Sequence, residues 1–90
     1  MTRRKFDPGQ MVDTIGVLDL VRRGFELQTL LARHLAGDWG NVTEANRREN
    51  DHALAQGGRL VSAYDVEGRR VFIVTDADRT LTKALLSEDF

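Results

Sequence analysis

The last third of the chain constrains the fold most. Two runs rich in Val, Ile, Phe and Tyr, RLVSAYDV (59–66) and RRVFIVT (69–75), flank the dipeptide Glu67-Gly68. This pattern predicts a hairpin, because glycine adopts the positive φ that a tight hairpin turn needs. Both faces of the second run are apolar, which is typical of a strand that is central in a small sheet. After the turn-forming residues 76–79, the alternation resumes over 80–86, so we expect a three-stranded antiparallel meander.

The residues upstream predict helices that cover this meander. The segment LQTLLARHLA (27–36) has leucines at helical spacing, and Gly37 is suited to end the helix. A second helix begins near Thr43, whose side chain can cap the first turn, and stops at the pair of glycines 57 and 58. A short helix after Thr14 and a short strand over 10–15 at the sheet edge also fit the pattern.

These elements predict an α+β fold with one domain over residues 1–90. Two or three N-terminal helices pack on the C-terminal three-stranded antiparallel meander, and residues 1–8 are expected to form a disordered tail. Ninety residues suffice for one small core.

Composition excludes several classes of function. The chain has 13 basic and 14 acidic residues and a net charge of −1, which argues against direct binding of duplex DNA. It contains no cysteine, no apolar run long enough for a membrane span and no signal-peptide pattern at its start. We therefore expect a soluble cytoplasmic protein without a metal site or other cofactor.

One constellation of side chains suggests chemistry. His34 falls in the apolar stripe of the predicted helix, where it is either a core residue with its hydrogen bonds satisfied or a general base near the sheet. In the second case it can converge with polar side chains of the meander: Tyr64, Arg79, Thr80 and Thr82. Metal-free ribonucleases of the barnase, colicin and bacterial toxin type have a similar architecture, so a ribonuclease is the alternative function.

The segment DADRTLT (76–82) resembles the first motif of haloacid dehalogenases, in which two aspartates after a strand surround magnesium. That family needs a parallel sheet and further motifs downstream, whereas few residues follow here. A turn whose aspartates accept backbone hydrogen bonds and pair with Arg79 is the other interpretation. Trp39 is either a lid on the core or an anchor for a partner. The candidate partner-binding residues on the polar surface are Trp39, Arg47, Arg48, Asp76, Asp78 and Arg79.

From His34 onward the chain also resembles a family of small uncharacterised proteins of plasmids, integrative elements and prophages. The pieces RHLAGDWGNVTEANRRENDHAL, GGRLVSAY and VFIVTDADRTLTKALL carry this resemblance. That family shares an RHxxGDWG segment, an SAY strand and an ITEADRSxTxxLLPEEY ending. Here Asp76 replaces its glutamate, Thr80 replaces a frequent serine, and LLSEDF replaces LLPEEY.

The resemblance implies a genomic setting rather than a chemistry. Together with the size and the missing catalytic signature, it favours a non-catalytic interaction protein of a phage or mobile element. An inhibitor of a host defence complex, similar to an anti-CRISPR protein, fits this setting. Its expected partner is a host protein or ribonucleoprotein complex that it occludes. The chain itself is expected to be a monomer or a homodimer, with the strand over 80–86 as one edge that can pair across a dimer axis.

Overall fold

The structure is a computed structural model, and it describes residues 4–89. The elements in chain order are β1 (Gln10–Asp13), α1 (Ile15–Arg22), α2 (Leu27–Leu35), α3 (Glu44–Gln56), β2 (Leu60–Val66), β3 (Arg69–Thr75), β4 (Leu81–Leu86) and a final 3₁₀ turn (Ser87–Asp89). This order confirms the α+β class, with three helices and a short N-terminal strand.

The sheet differs from a purely antiparallel meander because β1 adds a parallel strand. The strand order is β1-β4-β3-β2. β2, β3 and β4 form the predicted antiparallel meander, while β1 pairs parallel with β4, with Gln10 opposite Leu81. The expectation that β4 is an edge strand is therefore wrong, since β1 occupies that edge. The connection from β1 to β4 spans the three helices, so nothing local in the sequence specifies this pairing.

The elements begin and end where the local chemistry requires. The Thr14 hydroxyl accepts a hydrogen bond from the N–H of Val17, and that of Thr43 accepts one from Asn46, so each caps the first turn of its helix. Glu67 and Gly68 have φ of 50° and 77°, the backbone of a type I′ hairpin turn. The positive φ of Glu67, a non-glycine residue, is a feature that the sequence did not predict.

Helices α1 and α2 lie on one face of the sheet, as predicted, whereas α3 lies along the outer edge of β2. Inward-facing residues of the three meander strands meet apolar side chains of α1 and α2 in one buried cluster: Val17, Leu20, Leu30, Tyr64, Val71, Ile73, Ala84 and Leu86. A second cluster joins α3 to the start of β2 through Trp39, Ala53 and Leu60, with Phe6, Val42 and Leu54 packed against it. Burial of these side chains is the main stabilising contribution to the fold.

The N-terminal segment is docked rather than frayed over its described part. The N–H of Lys5 donates to the carbonyl of Leu35 at 2.7 Å, and Pro8 is buried. The ring of Phe6 stacks on that of Trp39 with a centroid distance of 6.4 Å. Residues 5–8 thus differ from the expected disordered tail, and its first three residues lie outside the described range.

The outer edge of β2 is covered by side chains and loop backbone. The amide of Asn50 on α3 donates to the carbonyl of Val61 at 2.8 Å and accepts from its N–H at 3.1 Å. One residue pair further along, the N–H of Ala63 donates to Trp39 and its carbonyl accepts from Asn41. Asn50 therefore replaces a neighbouring strand at this position, which blunts one edge of the sheet.

Candidate functional site

His34 lies at the centre of a buried chain of polar side chains. It has no solvent exposure, and its ring nitrogens contact hydroxyls from two strands. Nδ1 lies 2.5 Å from the Ser62 hydroxyl, and Nε2 lies 2.9 Å from that of Thr75. Thr75 continues to Thr82 at 2.7 Å, and Thr82 to the carbonyl of Pro8, also at 2.7 Å. The chain links α2, all three meander strands and the N-terminal segment.

The Pro8 carbonyl fixes the direction of every bond in this chain, because it can only accept. The Thr82 hydroxyl must donate to it, and so it accepts from Thr75. The Thr75 hydroxyl in turn accepts from Nε2–H of His34. Nδ1 is then the unprotonated nitrogen and accepts from Ser62. A neutral imidazole in its Nε2–H tautomer satisfies each of these bonds.

Burial keeps His34 neutral. Loss of hydration, with a smaller contribution from the positive charge of Arg79, lowers its pKa to about 4. A general base must reach its substrate within hydrogen-bond distance. The imidazole of His34 has no exposed surface and both its nitrogens are engaged, so this geometry is that of a core histidine.

The other residues of the predicted constellation do not converge on His34, with the exception of Thr82. The Tyr64 hydroxyl donates to the carbonyl of Asp38 at 2.6 Å, and burial raises the pKa of Tyr64 to about 12. Thr80 is exposed and donates to Asp78 at 2.7 Å. Ser62 and Thr75 complete the chain instead; their inward position follows from strand alternation, although the sequence did not mark them as partners of His34.

The guanidinium of Arg79 is bound to backbone carbonyls. Its guanidinium donates to carbonyls at the end of α3, in the following loop and in the β3–β4 turn: Ala53, Gly58, Asp76 and Ala77. The β3 strand before Asp76 is antiparallel to both neighbours, whereas the dehalogenase motif needs a parallel sheet. Residues 76–79 therefore form a turn, and Asp78 accepts a hydrogen bond from the N–H of Thr80, as the second interpretation predicted. The expected pairing of Arg79 with the two carboxylates is wrong, since Arg79 binds the backbone carbonyls of Asp76 and Ala77.

The proposed partner-binding surface is divided between core and solvent. Trp39 is only 3% exposed, and its indole N–H donates to Asp51 at 3.0 Å, so it is a lid on the core and not an exposed anchor. Arg47 and Arg48 are exposed on α3, where both pair with Glu44. They remain free to contact a partner, since exposed ion pairs of this kind contribute little.

A different surface carries the exposed apolar side chains. Within residues 4–89, the large apolar residues that are exposed all lie on β1 and α1: Met11, Val12, Ile15, Leu18 and Val21. Val12 pairs with exposed Lys83 and points to the sheet face opposite that of Met11. We call the other four residues, Met11, Ile15, Leu18 and Val21, the β1–α1 surface. Ile15 is 86% exposed. The sequence carried a signal for it, because five of the eight residues of α1 are large and apolar, more than one buried stripe requires.

A groove of about 420 Å³ adjoins this surface. It is lined by Asp13, Leu18, Val21, Phe25, Glu26, Leu27 and Gln28, and we call it the Asp13 groove. Oδ1 of Asp13 is buried and has no hydrogen-bond partner among the described residues. Burial raises the pKa of Asp13. The groove thus combines apolar walls with one carboxylate oxygen that lacks a partner.

Comparisons of the chain with protein-family models, curated proteins and solved structures found no match in any of the three. Among residues 4–89, no group of three or more His, Asp or Glu side chains is placed to hold a metal ion. None of the helices in this range is long and apolar enough to cross a membrane.

Proposed function

We propose that this protein acts by binding another protein, and that the β1–α1 surface is where the partner docks. The observation that carries the proposal is the composition of α1. Its core-facing stripe needs only Val17 and Leu20, yet the helix also presents Ile15, Leu18 and Val21 to solvent. Contiguous apolar side chains on one exposed surface are typical of protein interaction sites.

Helical geometry supports a single docking surface. At 100° per residue, Ile15, Leu18 and Val21 lie on one arc of α1, adjacent to the arc of Val17 and Leu20 that the core buries. Met11 lies on β1, just before the helix begins. A partner that covered this arc would bury side chains that the folded chain leaves hydrated, and apolar burial contributes roughly 25 cal/mol per Å².

The proposed biological setting is a phage or another mobile genetic element. The resemblance to plasmid, integrative-element and prophage proteins favours a mobile-element protein that occludes a site on a host defence complex. The closed geometry of His34 favours a binding role over the ribonuclease alternative. The exposed pair Arg47 and Arg48 offers a second surface for the same role.

The proposal is tested in two steps with the full chain. Affinity capture from an extract of the host, followed by mass spectrometry, identifies a candidate partner. The dissociation constant is then measured by calorimetry with the purified partner. Ile15→Glu should weaken binding at least tenfold, because it places a charge in the apolar contact, and about 1.4 kcal/mol corresponds to a factor of ten. The Tm should remain within a few degrees of the wild-type value, since Ile15 is exposed.

The matched control reverses two charges on the other surface. Arg47→Glu/Arg48→Glu should leave the dissociation constant within about threefold of the wild-type value. If Arg47→Glu/Arg48→Glu loses partner binding while Ile15→Glu binds as the wild type does, the interface lies on α3 and the proposal is wrong. Light scattering provides a further check: a stable homodimer that Ile15→Glu dissolves would identify the β1–α1 surface as a self-association surface.

A further inference from the structure

We propose that the Asp13 groove receives an arginine or lysine side chain of the docking partner. This inference rests on the proposed function, because the groove opens beside the β1–α1 surface and shares Leu18 and Val21 with it. It specifies the chemistry of the partner: apolar side chains that cover α1, together with one cation that enters the groove.

The walls of the groove match the body of a long basic side chain. Leu18 and Val21 come from α1, Phe25 from the following loop, and Leu27 from the first turn of α2. Lysine and arginine carry three or four methylene groups before the charged head, and they bury these on apolar surface. A volume of about 420 Å³ is sufficient for such a chain.

Asp13 supplies the partner for the charged head. A buried carboxylate oxygen without a hydrogen bond is unfavourable, and such groups are rare in folded proteins. The raised pKa of Asp13 expresses the same cost, because loss of hydration disfavours the charged carboxylate. Oδ1 itself has no surface open to the groove, so a guanidinium or ammonium there would offset that cost through its charge on the carboxylate as a whole. Glu26 lines the same groove with a second carboxylate. Among residues 4–89, no basic side chain lines the groove, so charge complementarity points to a cation from outside.

The backbone of β1 exposes further polar groups next to the groove. The N–H groups of Gln10 and Thr14 donate to carbonyls of Thr80 and Ala84, on the β4 side. Residues alternate in direction along a strand, so the N–H and C=O groups of Met11 and Asp13 point away from β4. A partner segment that places a cation on Asp13 is therefore also within reach of these backbone groups.

The test uses two small probes of equal size and different charge. n-Butylguanidinium has an apolar stem and a cationic head, whereas n-butylurea has the same stem and a neutral head. Both are titrated into the full chain and followed by ¹H–¹⁵N NMR. We expect n-butylguanidinium to shift the amide signals of Asp13, Leu18 and Leu27, with a dissociation constant on the order of millimolar. n-Butylurea should bind roughly tenfold or more weakly, the difference expected for a charge-assisted hydrogen bond.

Asp13→Asn tests the role of the carboxylate. It should remove the preference for n-butylguanidinium over n-butylurea. It should also weaken binding of the purified partner roughly ten- to a hundredfold. It should also raise the Tm by a few degrees, because a charge without a partner is replaced by a neutral amide of the same shape. A gain in stability with a loss of binding distinguishes a binding residue from a structural one. Asp19→Asn, on α1 but outside the groove, is the matched control. It should leave the dissociation constants of both probes unchanged.

The outcomes separate this inference from the proposed function. Equal binding of the two probes to the wild-type protein would overturn the cation site, and this comparison stands even if the variant fails to fold. If Ile15→Glu abolishes partner binding while Asp13→Asn leaves it unchanged, the proposed docking surface is correct and the proposed cation site is wrong. If the probes separate as expected but Ile15→Glu has no effect on the partner, the groove is correct and the docking surface is wrong.

Discussion

At the scale of single residues, His34 couples the stability of the fold to pH. Its pKa is about 4 in the folded protein and 6.5 in an unfolded chain. Between these values the unfolded state binds a proton that the folded state does not. Stability therefore rises with pH across this window and is lost on acidification, at up to about 1.4 kcal/mol per pH unit. Over the window, this amounts to about 3 kcal/mol from His34 alone.

We expect His34→Gln to remove this dependence and to lower the free energy of unfolding at pH 7 by about 2–4 kcal/mol, because hydrogen bonds to Ser62 and Thr75 are lost. Urea unfolding at a series of pH values measures both effects. The matched control is His52→Ala on the exposed surface of α3, which should change the free energy of unfolding at pH 7 by less than about 0.5 kcal/mol. A His34→Gln curve parallel to the wild-type curve between pH 4 and 6.5 would contradict the buried neutral imidazole.

The sequence predicted part of this arrangement. The leucine stripe placed His34 among the apolar positions of its helix. Strand alternation puts Ser62 on the same face as Tyr64, and Thr75 on the same face as Ile73. The contact between them required the crossing position of α2 over the sheet, which no local pattern encodes. Thr80, which the sequence suggested, is exposed, whereas Thr75 is fully buried on β3 and contacts His34.

At the scale of elements, the outer edge of β2 depends on one side chain at Val61. Asn50 is 4% exposed and makes both backbone hydrogen bonds of Val61. Asn50→Ala leaves that N–H and C=O without partners beneath α3. We expect a loss of about 2 kcal/mol in the free energy of unfolding. The amide of Val61 should also exchange its hydrogen faster, as measured by NMR.

Asn46→Ala is the control for this prediction. Asn46 lies one turn earlier on α3 and is exposed, so its replacement should change stability by less than about 0.5 kcal/mol. Equal effects of the two substitutions would indicate that helix propensity, and not the edge of β2, sets the stability. Sequence patterns do not identify Asn50, because a buried asparagine that mimics a strand has no hydrophobic signature.

At the scale of the whole molecule, the N-terminal segment connects the helices to the sheet. Between Lys5 and Asp13 it contacts α2, stacks on Trp39, accepts the last hydrogen bond of the His34 chain through Pro8 and adds β1 beside β4. The same segment leads directly into the β1–α1 surface. The proposed docking site therefore includes the edge strand β1, and its shape depends on how stably β1 pairs with β4.

Gly9 is the point at which this attachment can be weakened without changing the docking residues. It has φ of 66°, and a Cβ at this position would collide with the backbone of Arg79 and Thr80. Gly9→Ala should lower the free energy of unfolding by about 2–4 kcal/mol, because both a disfavoured backbone conformation and a backbone collision are introduced. Hydrogen exchange at β4 amides that pair with β1 should accelerate.

Gly68→Ala separates the two causes. Gly68 has a similar φ of 77°, but a Cβ there would have no atom within 4 Å. Gly68→Ala should therefore lower the free energy of unfolding only by the cost of the backbone conformation, about 1 kcal/mol. A clear excess in Gly9→Ala measures the tight contact between the N-terminal segment and the β3–β4 turn. Equal losses would mean that the segment yields freely, in which case β1 can move away from β4 and the Asp13 groove can change shape when a partner binds.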